Sequence, residues 1–177
     1  MFSKDIENQL FKQDYAPKPT IDGVKFVELK EFADDGGSFL ELCRLEKGIC
    51  AALPHFEAKQ MNYSRVMSGV IKATHIHKNQ DDLWFVPPHE RILVGLKDLR
   101  AGSKTEGVVM RFVLGAGKPR LLFIPRRVAH GLANPWRETA TVIYFVNRHF
   151  SADADKCDEF RLDPYFFGKD FWNITAG

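Results

Sequence analysis

The stretch GVIKATHIHKNQDDLWFV, residues 69–86, sets two histidines two positions apart among Val, Ile and Trp and follows them with two aspartates. Side chains two apart on a β-strand point to the same face, so His75 and His77 should emerge together from one side of an extended segment. Three roles fit such a pair. They can be metal ligands, one can be a proton-transfer base, or both can be surface residues of an ordinary hairpin. The choice depends on what the rest of the chain builds around them.

Outward from this stretch, short β runs dominate. GVKFVEL alternates Val24, Phe26 and Glu28 against Lys25, Val27 and Leu29. SFLELCRL alternates Phe39, Glu41 and Cys43 against Leu40, Leu42 and Arg44. MNYSRV, RILVGLKDL, GVVMRFVLG, RLLFIP and TATVIYFV continue the pattern, separated by DDGG, KNQDD, PPHE, AGSKTEG, GAGKPR and NPWRE. About ten short strands bounded by turns predict an all-β barrel or double-sheet jelly roll. DIENQLF predicts a short helix, stopped by the prolines of APKPT, as a short N-terminal extension. The tail, DADKCDEFRLDPYFFGKDFWNI, is acidic and then aromatic, and is expected to wrap across one end of the barrel.

Length and composition narrow the function classes. The 177 residues fit one domain, 1–177, long enough to bury a core. Apolar residues are 45% and charged residues 27%, a soluble globular profile. A net charge of +2 gives no bulk attraction for nucleic acid or an anionic membrane. No run approaches the roughly 18 apolar residues of a membrane span, and the polar start lacks a signal-peptide core. Cys43, Cys50 and Cys157 form no CxxC pair, which argues against a zinc-thiolate site and reads as reduced thiols in a cytoplasmic protein. Fifteen Phe point to an aromatic-rich core or pocket. Trp84, Phe85, Phe112, Phe123 and Phe145 are expected to fill the barrel, with one available to stack on a nucleobase.

A second histidine signal lies in IPRRVAHGLAN, with Pro125, His130 and Asn134. Together with G-V-I-K-A-T-H-I-H it resembles the two signature motifs of the cupin superfamily, small β-barrels whose mouth often holds a metal. Asp81 or Asp82 stands for the first motif's Glu, and Arg127 replaces the second motif's Gly. The wider order DDGGSFLE, QMNYS, GVIKATH, KDLR, IPRRVAHG, TVIYF, LDP and FW, across roughly residues 23–173, resembles the dTDP-4-dehydrorhamnose 3,5-epimerase family, a branch of the cupins. The resemblance implies a cupin-type jelly roll and an isomerase acting on a nucleotide-linked 4-keto-6-deoxy sugar, in deoxysugar supply for a polysaccharide or glycosylated metabolite. It also implies a homodimer with N-terminal strands exchanged or packed across the interface, and no cofactor.

Residue by residue, the resemblance places His75 on the catalytic base, Asp163 on the carboxylate that orients it, and Tyr144 on the acid at the opposite sugar face. His130 falls on a second active-site histidine, and Lys72 on a phosphate-binding Arg. Gln60, Asn62, Phe39, Glu41 and His77 fall on substrate-binding positions. These types suit the chemistry. Epimerisation beside a ketone needs a base tuned near neutrality, a carboxylate that supports its imidazolium, a proton donor such as Tyr, and positive charge or strong donors near the enolate oxygen. Lys72 and His75 have odd spacing, so an ideal pleat would place them on opposite faces.

The chain is a divergent member on this reading. No Lys lies between Lys78 and Lys97, where the family carries the Lys that stabilises the enolate; Asp82 or a neighbour stands there. His77 replaces the Gln two after the base, and Phe150 lacks the hydroxyl of a second family aromatic. Arg111, Arg120, Arg126 and Arg127 are candidates to restore lost phosphate contacts. Two rival readings remain open. His75, His77, Asp82 and His130 together would suit a divalent transition metal, making a metal-dependent cupin that acts on a small oxygenated substrate. The chain could also be a sugar-nucleotide binder without turnover.

Overall fold

The computed structural model describes residues 2–175. Its single short helix, α1 (Lys4–Glu7), buries no side chain. The strands are β1 (Lys25–Glu28), β2 (Glu31–Asp34), β3 (Gly37–Leu40), β4 (Leu45–Glu46), β5 (Ile49–Cys50), β6 (Leu53–Glu57), β7 (Gln60–Val66), β8 (Ile71–Ile76), β9 (Asp82–Phe85), β10 (Arg91–Asp98), β11 (Val109–Gly115), β12 (Arg120–Ile124), β13 (Val128–Ala133), β14 (Ala140–Val146) and β15 (Phe160–Arg161). Two five-stranded antiparallel sheets carry the fold, in the orders β1-β12-β9-β14-β7 and β11-β10-β13-β8-β15. This is the all-β jelly roll expected. SFLELCRL does not form one strand, since β3 ends at Leu40 and β4 begins at Leu45.

The core has two layers rather than one. Between the sheets, Trp84, Val94, Leu96, Leu122 and Val142 pack with Phe112 against them. On the far side of the first sheet, Leu83, Phe85, Leu121, Phe123 and Phe145 pack under Leu53 and Phe56 of β6. Phe85, Phe123 and Phe145 therefore sit outside the barrel, correcting the expectation that they fill it. Covering both faces explains why LWFV lacks strict alternation: a strand buried on both sides reads as a continuous apolar run. Each fully buried Leu or Phe contributes about 1.5–3 kcal/mol by leaving water.

The second sheet is sealed by the C-terminal tail. Trp172 is buried with Ala73, Leu93 and Ala133, and Phe167 and Phe171 pack beside it. The tail lies along the outer face of the sheet, not across one end of the barrel as expected. Glycines make room for it. A Cβ on Gly95 would meet the Phe171 ring at 2.5 Å, and one on Gly131 would meet the Trp172 ring at 3.3 Å as well as the Ala73 Cβ of β8 at 2.4 Å. Arg111 fastens the tail, donating from Nε to the Phe171 carbonyl (2.8 Å) and from Nη2 to that of Asn173 (2.6 Å). Before it reaches this face, the tail adds β15 to the edge of β8, with Arg161 opposite His75.

Candidate active site

A cavity of about 710 Å³ opens between the two sheets. Its walls come from β7 and β14 on one side and from β8, β13 and the β15 segment on the other. Gln60, Asn62, Lys72, His75, His77, His130 and Tyr144 all line it. Phe39 and Glu41 do not. Phe39 is exposed on the β2–β3 hairpin, and Glu41 pairs with Arg44 at 2.8 Å.

Lys72 reaches the same cavity as His75 because β8 carries a bulge. Against β13, His75 pairs with His130 and Lys72 with Leu132, so three residues on β8 oppose two on β13. One extra residue reverses the parity of everything beyond it. Lys72 Nζ donates to Ser64 Oγ and the Arg65 carbonyl, both at 2.8 Å. The odd spacing in the sequence is thus reconciled by register.

The carboxylate beside His75 is Glu159, not Asp163. Glu159 Oε1 lies 3.8 Å from His75 Nδ1. Asp163 is exposed, and its Oδ1 accepts the Tyr165 backbone N–H at 2.7 Å as a turn cap. The same Oε1 accepts from Arg161 Nη2, and the backbone of Glu159 is anchored through its neighbour. Asp158 accepts the backbone N–H groups of Asn79 and Gln80 at 2.8 and 2.9 Å, and its carbonyl accepts His77 Nδ1 at 2.8 Å. Burial, then the Arg161 guanidinium, push the His75 imidazolium down in pKa, while Glu159 pulls it up. The net shift is downward, which leaves His75 neutral near pH 7. Its Nε2 has no hydrogen-bond partner among the described residues.

Tyr144 faces His75's sheet from the opposite one. Burial, with Asp82 and Glu159 nearby, raises its pKa above the usual phenol value. It therefore keeps its proton at neutral pH and can donate it.

Below these groups sits a buried cluster of His77, Asp82 and His130, whose nearest donor atoms all lie within 4.8 Å of one another. His130 Nδ1 faces the Val128 carbonyl at 3.0 Å. A carbonyl only accepts, so both His77 and His130 carry their proton on Nδ1 and turn Nε2 inward. Asp82 Oδ2 is 3.9 Å from His77 Nε2 and 3.5 Å from His130 Nε2. It also accepts Trp84 Nε1 at 3.1 Å, while Gln80 Nε2 donates to Oδ1 at 2.8 Å. Burial raises the Asp82 pKa against the lowering influence of these partners, and burial drives His130 well below the ordinary imidazole value. Asp81 lies outside the cluster, bound to Arg126 and Asn147.

The arginines offered as replacement phosphate contacts are engaged elsewhere. Arg126 pairs with Asp81 at 2.9 Å, Arg111 clamps the tail, and Arg120 stacks over Phe26 at 4.2 Å. Arg127 lies at a positive φ of 64°, exposed and away from the cavity lining. The cations that do line the cavity are Lys72 and Arg161. Glu159 and Arg161 were missed by sequence reasoning. CDEFRLDP offers three acidic residues, and Glu159, Arg161 and Asp163 share a parity, so nothing local selects among them.

A sequence profile described as dTDP-4-dehydrorhamnose 3,5-epimerase matches residues 18–164. The chain is 42% identical over 142 residues to the spore coat polysaccharide biosynthesis protein SpsL of Bacillus subtilis, covering 80% of this chain and 89% of that protein. It is similar in structure to a dTDP sugar isomerase from Desulfovibrio desulfuricans, with TM-score 0.70 at 25% identity, covering 88% of this chain and 91% of that one. It is also similar to an epimerase from Legionella pneumophila solved with dTDP-4-keto-L-rhamnose, with TM-score 0.67 at 25% identity over 82% and 75% of the two chains.

Proposed function

The chain belongs to the dTDP-4-dehydrorhamnose 3,5-epimerase family, and from that premise we propose that it epimerises a thymidine-diphosphate-linked 4-keto-6-deoxy sugar with His75 as base and Tyr144 as acid. The observation that carries this assignment is the placement of those two side chains on opposing sheets of one cavity. A sugar ring held between them presents one face to each. A cavity of this size falls within the range of small-ligand sites.

The steps balance as follows. Neutral His75 takes the carbon-bound proton next to the ketone, and the C–H electron pair becomes the enolate. Glu159 stabilises the imidazolium so formed. Tyr144 then donates its proton to the same carbon from the other face, which inverts the centre and restores the ketone. The tyrosinate recovers a proton from solvent and His75 releases one. Lys72 is the cation for the diphosphate, joined by Arg161 if its ion pair with Glu159 opens, and Gln60 and Asn62 line the same wall. His77 and His130 line the floor of the same cavity. The proton transfers call for no organic cofactor.

The homodimer stays part of this proposal. β7 is the edge of its sheet, and its outward Met61 and Tyr63 are exposed, as are Phe32 and Phe39 on the β2–β3 hairpin. A partner covering that edge could also bring its own Phe39 and Glu41 towards this cavity. A monomer by light scattering at micromolar concentration would remove this element. The described residues contain no helix long and apolar enough to cross a membrane, and we place the reaction in the cytoplasm.

The test uses thymidine diphosphate 4-keto-6-deoxyglucose in deuterated solvent, followed by mass spectrometry. The wild type should exchange a carbon-bound hydrogen, and His75→Asn should lose at least about 10² of that rate, the lower end of acid–base assistance. Tyr144→Phe should retain exchange at the abstracted position while inverted product falls. Exchange unaffected by His75→Asn overturns the assignment. A wild type that binds the nucleotide yet exchanges nothing supports the non-catalytic binder instead.

A further inference from the structure

We propose that Arg161 is a positioning residue that couples diphosphate binding to the base: it pairs with Glu159 before substrate binds and passes to the diphosphate of the nucleotide sugar, leaving Glu159 to His75 alone. The inference deepens the epimerase reading and rests on it for the identity of the ligand.

One oxygen carries the argument. Glu159 Oε1 accepts from Arg161 Nη2 and stands 3.8 Å from His75 Nδ1. All three side chains line the cavity. The pairing of β15 with β8 sets Arg161 opposite His75, and the two-residue spacing in extended chain puts Glu159 and Arg161 on one side. A carboxylate oxygen shared with a guanidinium supports an imidazolium less than a free one does, because the guanidinium offsets its charge. After burial, Arg161 pushes the His75 pKa down and Glu159 pulls it up. Moving the guanidinium onto a diphosphate removes the opposing influence and keeps the supporting one.

Of the charged and titratable groups around His75, Arg161 is the one free to move. The side chains of His77, Asp82 and His130 are 7%, 4% and 3% exposed, whereas that of Arg161 is 64% exposed. Its bond to Glu159 is the only hydrogen bond of its guanidinium among the described residues, and it leaves most of the guanidinium's N–H donors unused. Lys72, by contrast, is tied to Ser64 and the Arg65 carbonyl. A diphosphate carries more charge than one carboxylate and presents oxygens that suit a bidentate guanidinium contact. An exposed ion pair contributes little, so the exchange costs little. The backbone beside Glu159 is fixed by Asp158 and by β15, so side-chain rotation alone closes the 3.8 Å gap to His75. Contacts to the remote diphosphate are thereby turned to use at the reacting carbon.

The test is calorimetric titration of the full chain with thymidine diphosphate, comparing wild type, Arg161→Gln, Glu159→Gln and the double variant. Arg161→Gln should bind at least about 10-fold more weakly, the lower end for a hydrogen bond to a charged group, and Arg161→Lys should regain part of that loss. Glu159→Gln frees the guanidinium and should bind about 2- to 5-fold more tightly, the range of an exposed ion pair. That gain should vanish in the Arg161→Gln background. An equal gain in both backgrounds would show Glu159 acting on the diphosphate by its own charge and overturns the exchange, as does unchanged or weaker binding by Glu159→Gln. With thymidine diphosphate 4-keto-6-deoxyglucose as substrate, Arg161→Gln should raise KM by a larger factor than it lowers kcat, and a fall confined to kcat counts against the proposal. Thymidine diphosphate that binds without these differences overturns the exchange and leaves the epimerase reading standing, whereas no binding to folded wild type removes both.

Discussion

Asp82 and Asp98 are both buried aspartates on strands of the barrel, 3% and 0% exposed, and their surroundings push them in opposite directions. Asp98 ends β10 and accepts five donations. Arg100 gives its backbone N–H, Nε and Nη2, and Ser103 and Thr105 give their hydroxyls, all at 2.7–3.0 Å. The Arg100 hydrogen bonds hold its carboxyl far below the usual range. Asp82 opens β9, receives only Gln80 and Trp84, and faces two imidazole lone pairs. Burial outweighs the lowering influence of His77, Gln80 and Trp84 and raises its pKa. Burial alone therefore does not mark a functional carboxylate. Position does, because Asp82 lines the cavity beside two histidines and Asp98 does not.

The comparison predicts unequal costs of removal. Asp98→Ala strands the Arg100 guanidinium and two hydroxyls. Breaking a buried pair costs about 3–5 kcal/mol, and partial exposure of Arg100 points to the lower end. Near 3 kcal/mol, the thermal midpoint of a chain this size should fall by about 6–12 °C. The pH sense follows from the depressed carboxyl. Its stabilisation is complete above the unfolded value near 4 and is lost as pH falls towards the folded value. Denaturant midpoints of wild type should therefore drop between about pH 4 and pH 2, and those of Asp98→Ala should be flatter there. A variant as stable as wild type would break the contrast at its stronger end.

Between the two extremes stands Glu159, half-buried, paired with Arg161 and facing His75. Glu159→Gln keeps shape and removes the charge that supports the His75 imidazolium. It should lower kcat by about 10-fold, roughly 1.4 kcal/mol, with KM not raised and thermal midpoint little changed. A loss confined to KM would assign Glu159 to substrate holding and return the search for the orienting carboxylate to Asp163.

The sequence carried some of this and not the rest, for physical reasons. The strand pattern and the histidine motifs are local, so the jelly roll and the meeting of His75, His77 and His130 were legible. KDLR was legible as a strand end but not as a carboxylate cage, because Ser103 and Thr105 close it from the following turn. Lys72 seemed to sit on the wrong face because a bulge leaves no mark in residue types. Asp163 was preferred to Glu159 because motif spacing was all that separated them. The deciding contact, Asp158 to the turn at Asn79 and Gln80, spans about eighty residues of chain. Arg126 read as a free cation for lack of any sign that Asp81, 45 residues away, would occupy it.

The smallest effect on folding should come from Asp82→Asn, and it sharpens the comparison most. The substitution keeps the volume of the side chain, so no cavity opens under Trp84. The amide oxygen can still accept from Trp84 Nε1 or from Gln80. The new NH2 is a donor 3.5 Å from His130 Nε2, while His77 Nε2 already has the Gln80 amide at 3.3 Å, so one hydrogen bond is gained. The net change in stability should lie within about 1 kcal/mol of zero, since replacing an unmatched buried polar contact by a matched one recovers about what a typical hydrogen bond contributes. Chemical denaturation reads this directly. A loss as large as that of Asp98→Ala would show that Asp82 is already satisfied, with a proton held between it and one histidine, and the cluster would then be a structural ion pair. Near-neutral folding would show that the fold does not need a carboxylate at this position.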